Sequence, residues 1–245
     1  MNNLQTLAKA ENVTKRYRTA DGSVAGIDGV SLEIRSGEMV ALVGPTGSGK
    51  TTLLMLLAGL DSPDGGSLQL LDQQMEALSN DRLTELRSHN VGVIYQQYNL
   101  FPGFNVRENI GLPLRLMLRP PYDADHRADE LLHELSLHPL ASQLPTELSG
   151  GQQQMVAIAR ALAANPPLIL ADEPTANLDS NAARQIIARL RSLADSGNHG
   201  VLIATHDLRT ASQADRVLTL RDGKIVKETI LQPGKAPKEV LAELA

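Results

Sequence analysis

The chain has 245 residues, 42% hydrophobic and 21% charged, enough for one large domain or two small ones. A net charge of −5 and the lack of a lysine or arginine run argue against a nucleic-acid binder, which usually carries a basic stripe. With no cysteine, structural disulfides and thiolate zinc sites are excluded.

Aromatics are scarce (two Phe, four Tyr, no Trp), so aliphatic side chains must fill the core. Residues 1–23 show no charged-then-apolar secretory pattern. No window reaches the roughly 18 apolar residues that a membrane span needs. The expectation is a cytoplasmic protein that can still dock on a membrane partner.

Residues 8–43 read as strand-rich and end in the apolar run Met39–Val43, the pattern of a strand buried in a parallel sheet. "KTTLLMLLAGL" (50–60) predicts a helix and 67–71 a strand. "SNDRLTELRSHN" (79–90) predicts a helix with a Ser start, and 91–95 a short buried strand. From about 104 to 147 the character changes. "LPLRLMLRPP" and "DADHRADELLHELSLHPL" are helical patterns broken by Pro120-Pro121, which predict an inserted helical subdomain. Residues 167–173 and 200–207 are again buried strands, with a helix at 181–194 between them. Asp-Gly inside "RVLTLRDGKIVKE" predicts a hairpin, and 237–244 a last helix. Strands alternating with helices predict an α/β fold with a mainly parallel sheet.

"GPTGSGKT" (44–51) fits G-x-x-x-x-G-K-[ST] between a predicted strand and a predicted helix, the context that gives the pattern meaning. Its glycines let backbone N–H groups turn inward around phosphate oxygens, and the helix N-terminus adds positive potential. Lys50 is expected to reach the β- and γ-phosphates and Thr51 to ligate Mg²⁺. "LILADEP" (168–174) ends an apolar strand in two carboxylates beside the phosphate crevice. Asp172 is expected to hold Mg²⁺ and Glu173 to align or deprotonate the attacking water. These motifs alone leave nucleotide hydrolase and kinase both open. "LSGGQ" (148–152) supplies a second helix N-terminus suited to an anion.

Over nearly its whole length the chain resembles the nucleotide-binding subunits of ATP-binding cassette (ABC) transporters. "LSGGQ" matches that family's signature, placed between the two nucleotide motifs. The resemblance implies a P-loop NTPase of ABC type, with an N-terminal antiparallel β part and an inserted helical subdomain. It implies one ABC ATPase domain over 1–245, with a RecA-like core at about 1–95 and 165–245 and the helical part at about 104–164. Two cassettes would pack head to tail as a homodimer. ATP would lie against Gly44, Pro45, Thr46, Gly47, Ser48, Gly49, Lys50, Thr51 and Thr52 of one copy. Ser149, Gly150, Gly151, Gln152 and Asp179 of the other would close over it.

By the same resemblance Tyr17 stacks on adenine and His206 contacts the γ-phosphate. Gln96 touches Mg²⁺ and the attacking water; it is favoured over Gln97 because it directly follows the apolar strand. Tyr95, Tyr98, Phe101 and Phe104 gather four of the six aromatics in one stretch. They could pack between the sheet and the helical subdomain; the alternative is a docking surface, since aromatics anchor interfaces, and the resemblance implies a groove for a membrane permease near Tyr98, Phe101 and Phe104. Two positions depart from the family: Met155 stands where arginine is usual, and Tyr95 where phenylalanine is common. The motifs are most similar to the branch serving lipoprotein release, macrolide-type efflux and cell-division regulation. A soluble cassette ATPase acting on DNA or ribosomes is the alternative. It would usually carry a coiled-coil or zinc insertion, or two cassettes in one chain.

Overall fold

The computed structural model describes residues 5–18 and 24–232. In chain order the elements are β1 (Thr6–Arg18), β2 (Val24–Arg35), β3 (Met39–Val43), α1 (Lys50–Leu57), β4 (Gly65–Leu70), β5 (Gln73–Gln74), α2 (Asn80–Asn90) and β6 (Val91–Ile94). There follow α3 (Val106–Leu116), α4 (Ala124–Glu134), α5 (Gly150–Ala161), β7 (Leu168–Asp172), α6 (Ser180–Asp195), β8 (Gly200–Thr205), α7 (Leu208–Ala211), β9 (Arg216–Arg221) and β10 (Lys224–Ile230). The expected helix at 237–244 lies outside the described residues.

Two sheets form. One is antiparallel, in the order β2-β1-β4-β5. The other runs β10-β9-β3-β8-β7-β6; its pairs are parallel except β10 with β9. Non-consecutive neighbours in this second sheet require helical crossovers, as the alternating pattern predicted.

The central strands are apolar throughout because both of their faces are covered. Met39, Ala41 and Val43 enter a core with α3, α4, α5 and α6, while Val40 and Leu42 enter a second core with α1 and the antiparallel sheet. β7 and β8 divide in the same way, Ile169 and Ile203 to the first core, Leu170 and Leu202 to the second. This is the period of two applied to a strand buried on both sides.

Several boundaries differ from the sequence reading. The first helix stops at Leu57 rather than continuing to residue 60, because Gly59 adopts the left-handed φ of 64° that ends a helix. The helix expected over 112–121 starts earlier, at Val106. Asn105 and Glu108 cap it reciprocally, and it ends before the Pro120-Pro121 pair. The strand at 65–70 begins two residues before the expected start and ends at Leu70, since Leu71 and Asp72 take positive φ in the turn to β5.

Candidate functional site

The site is assembled by register. Val43 pairs with Thr205 across β3 and β8, and Asp172 with Ala204 across β7 and β8. The residues just beyond these three parallel strands, Gly44, Glu173 and His206, therefore emerge along one edge. Loops past the carboxyl ends of parallel strands are where such sheets bind ligands.

The glycine-rich loop is shaped by close approach. A Cβ on Gly44 would lie 2.2 Å from the Leu220 carbonyl oxygen, and one on Gly49 would lie 2.6 Å from that of Gly26. Gly49, at φ 106°, is also the N-cap of α1. Inside the loop the Lys50 ammonium donates to the carbonyls of Gly44 (2.8 Å) and Pro45 (3.2 Å). The Ser48 hydroxyl is buried without a hydrogen-bond partner among the described residues. An unpaired buried donor in a cradle too tight for side chains fits a phosphate-binding loop.

The second group of residues faces this loop. Thr51 donates its hydroxyl to Asp172 Oδ2 at 2.7 Å, so two oxygens able to hold a cation adjoin. Such a hard-oxygen pair suits Mg²⁺. Burial pushes the Asp172 carboxyl up; the Thr51 hydrogen bond opposes the rise and the Glu173 charge adds to it. Glu173 sits at φ 46°, a left-handed conformation unusual outside glycine. Its N–H donates to the carbonyl of Ala204, which holds that conformation. The side chain thereby reaches Lys50 Nζ at 3.8 Å and accepts from His206 Nδ1 at 2.9 Å.

The remaining residues surround this centre. Gln96 is exposed in the loop after β6, and its carbonyl accepts from Asn177 Nδ2 at 3.2 Å. The Tyr17 hydroxyl donates to Asp61, which also takes Lys15 Nζ at 2.9 Å; that ammonium lies 5.4 Å from the Tyr17 ring centre. Burial, reinforced by Asp61, pushes the Tyr17 phenol up to about 12. Nothing in the sequence joined Tyr17 to Asp61, because only the packing of β1 brings them together.

Ser149 caps α5 in a reciprocal pair with Gln152, and Asp179 caps α6 through the N–H groups of Asn181 and Ala182. Those two backbone bonds hold the Asp179 carboxyl below its usual range. Among the described residues no hydrogen bond or ion pair joins residues 149–152 to residues 44–52. Met155 packs half-buried on the first core. The aromatics divide: Phe101 and Phe104 are exposed and stacked at 5.8 Å, whereas Tyr98 is half-buried with its hydroxyl against Gly150. Sequence reading missed Asn109, which is fully buried and bonds the N–H and carbonyl of Phe101 and the carbonyl of Phe104.

Residues 27–176 match the family described as ABC transporter. The chain belongs to the ABC transporter family. A lipoprotein-releasing system ATP-binding protein, LolD, from Hydrogenovibrio crunogenus is 42% identical over 90% of this chain and 96% of its own length. The ABC transporter ATP-binding protein MJ0796 from Methanocaldococcus jannaschii is 39% identical, over 92% of this chain and 98% of its own. A dimeric, post-hydrolysis structure of the MJ0796 cassette bound to ADP and Pi superposes with a TM-score of 0.84 at 39% identity, covering 92% of this chain and 99% of that one. CbiO1 from Clostridium perfringens, part of an ABC transporter complex, reaches 0.81 at 28%, covering 98% and 92%. This ABC cassette is an ATP-hydrolysing nucleotide-binding subunit of the membrane-transporter class. Among the described residues no helix is long and apolar enough to cross a membrane.

Proposed function

We propose that two copies of this chain clamp ATP between them and drive an integral membrane permease of the lipoprotein-release or macrolide-efflux kind. The observation that carries the reading is the meeting of Lys50, Thr51, Asp172, Glu173 and His206 at one sheet edge. Residues 44–52 cradle the phosphates and Lys50 neutralises them. Glu173 takes the proton of the attacking water, with His206 orienting its carboxylate. Thr51, Asp172 and Gln96 hold Mg²⁺, which when bound supplies charge neutralisation at the phosphate oxygens. Tyr17, its hydroxyl fixed by Asp61, stacks on the adenine.

Ser149, Gly150, Gly151, Gln152 and Asp179 act in trans, on the nucleotide held by the partner copy. The dimeric state of the MJ0796 cassette supports this pairing. ATP favours the closed pair because only that state offers both sets of contacts. The core at about 1–95 and 165–245 and the helical part at about 104–164 are the bodies that closure moves. Phe101 and Phe104 face the permease, so the chain sits peripherally on the cytoplasmic face of the membrane.

The test is capture. Glu173→Gln protein, tagged and held with ATP and Mg²⁺, is extracted from native membranes in mild detergent. A stoichiometric integral membrane protein is expected in the mass spectrum. Recovery of ribosomes or DNA-bound complexes alone would overturn the assignment to a membrane motor.

A further inference from the structure

We propose that Arg160 is a positioning residue for hydrolysis: it fixes the place of Gln96 by clamping the turn that carries it, on the reading above that Gln96 serves Mg²⁺. Gln96 is the second residue of the tight turn Tyr95–Tyr98, closed by the Tyr98 N–H donating to the Tyr95 carbonyl at 3.3 Å. Its side chain is exposed, so packing does not hold it and its place follows from the backbone.

That backbone is strained and is held from outside. Tyr98 and Asn99 take φ of 55° and 51°, the left-handed region that a bulky side chain rarely enters. Such conformations persist where surrounding contacts over-determine them. Arg160, near the end of α5, supplies those contacts. Its Nη2 donates to the Tyr98 carbonyl at 2.7 Å and its Nη1 to the Asn99 carbonyl at 2.5 Å. A planar guanidinium meets two neighbouring carbonyls at once, a fork that an ammonium cannot reproduce.

The charge of Arg160 has no other use. Among the described residues no carboxylate pairs with it, and its hydrogen bonds go to these two carbonyls. Burial pulls its pKa below the ordinary arginine value, yet a guanidinium stays charged. A half-buried cation without a counter-ion depends on the hydrogen bonds it makes, and bonds from a charged donor are the stronger kind. Two further contacts hold the same turn. Asn177 Nδ2 donates to the Gln96 carbonyl at 3.2 Å, and a Cβ on Gly150 would lie 2.9 Å from the Tyr98 hydroxyl. Gly150 opens α5 and Arg160 stands one residue before its end, so the turn is tied to both ends of one helix.

A double-mutant cycle on the full chain separates positioning from plain support of the fold. Arg160→Met removes the donors and Arg160→Lys keeps the charge without the fork; each is made with and without Gln96→Ala. Turnover, the Mg²⁺ concentration for half-maximal rate, and ATP affinity without Mg²⁺ are read together. Alone, Arg160→Met should lower kcat by about tenfold or more and raise the Mg²⁺ midpoint, with Arg160→Lys between it and the parent. ATP affinity without Mg²⁺ should stay within about twofold of the parent. On top of Gln96→Ala, either Arg160 change should cost less than about twofold more, because the group it misplaces is gone. An equal loss in both backgrounds would overturn the proposal and leave Arg160 a residue of the fold. So would a parental kcat and Mg²⁺ midpoint in Arg160→Met. If Arg160→Met does not fold by its urea midpoint, the Arg160→Lys cycle decides by the same criteria. A parental rate and Mg²⁺ midpoint in Gln96→Ala would overturn the role given to Gln96, and the clamp with it; additive losses would overturn the clamp alone.

Discussion

His206 donates from Nδ1 to Glu173 Oε1 across 2.9 Å, and the same carboxylate oxygen lies 3.8 Å from Lys50 Nζ. One acidic oxygen thus faces both the phosphate-loop cation and the histidine that follows β8. A base poised between these two groups makes a sharp prediction. Glu173→Gln keeps the size of the side chain and removes its basicity. Turnover should fall by about 10²- to 10⁴-fold while ATP binding survives. Single-turnover phosphate release and nucleotide binding, measured side by side, separate these effects. Near-normal release would remove Glu173 from the role.

Asp172 should show a conflict between stability and activity. Burial lifts its carboxyl above the ordinary range. For an acid raised by folding, the fold binds the proton more tightly than the unfolded chain. The benefit is fully present below the unfolded value of about 4 and is lost as pH rises through the folded value. At neutral pH the ionised Asp172 therefore costs stability, and Asp172→Asn should raise Tm at pH 7. The gain should shrink as pH falls toward 4. The same variant should lose Mg²⁺-dependent turnover. An Asn variant with lower Tm than the parent at pH 7 would refute the argument.

The phosphate loop should tolerate no added methyl at Gly44. A Cβ there would sit 2.2 Å from the Leu220 carbonyl oxygen and 2.7 Å from the Ser48 hydroxyl. The carbonyl belongs to strand β9, which pairs with β3 and β10 and has no room to retreat. Gly44→Ala should cost about 1–3 kcal/mol, as overpacking does, and weaken ATP binding. Gly103→Ala is the control, since its Cβ would meet nothing within 4 Å and its φ is not in the left-handed region. Urea midpoints read both; equal midpoints would show that the loop adapts.

What could be read in the sequence follows from distance along the chain. The phosphate loop and the acidic strand were legible because each motif is local: spacing, flanking strand and chemistry lie within a dozen residues. The buried strands were legible because two-sided burial leaves a continuous apolar run, as in Met39–Val43. Pairs that only folding joins were not. Tyr17 and Asp61 are separated by 44 residues, and Arg160 and the Tyr98 carbonyl it caps by 62. Asn109 lies ahead of the helical pattern read at 112–121 and carries no motif of its own. Its fourfold bonding depends on the bend at Phe101–Phe104, which no periodicity encodes.

That bend gives the last prediction, since it separates building the aromatic patch from using it. Phe101 is 49% exposed and touches Phe104 ring to ring. Truncating an exposed ring changes stability by about 0.5 kcal/mol or less. Phe101→Ala should therefore keep the urea midpoint and the ATPase rate of the isolated cassette, yet co-purify far less membrane partner. Asn109 has no exposure, and its amide pairs the Phe101 N–H and the carbonyls of Phe101, Phe104 and Asn105. Asn109→Ala leaves the Phe101 N–H and the Phe104 carbonyl without the partner they have here, while the carbonyls of Phe101 and Asn105 keep backbone donors, and it should cost about 1–3 kcal/mol. It should also weaken the membrane attachment, because the patch loses its frame. If Phe101→Ala holds the membrane protein as well as the parent does, the patch is not the docking surface. A loss of attachment in Asn109→Ala would then report only the damaged fold.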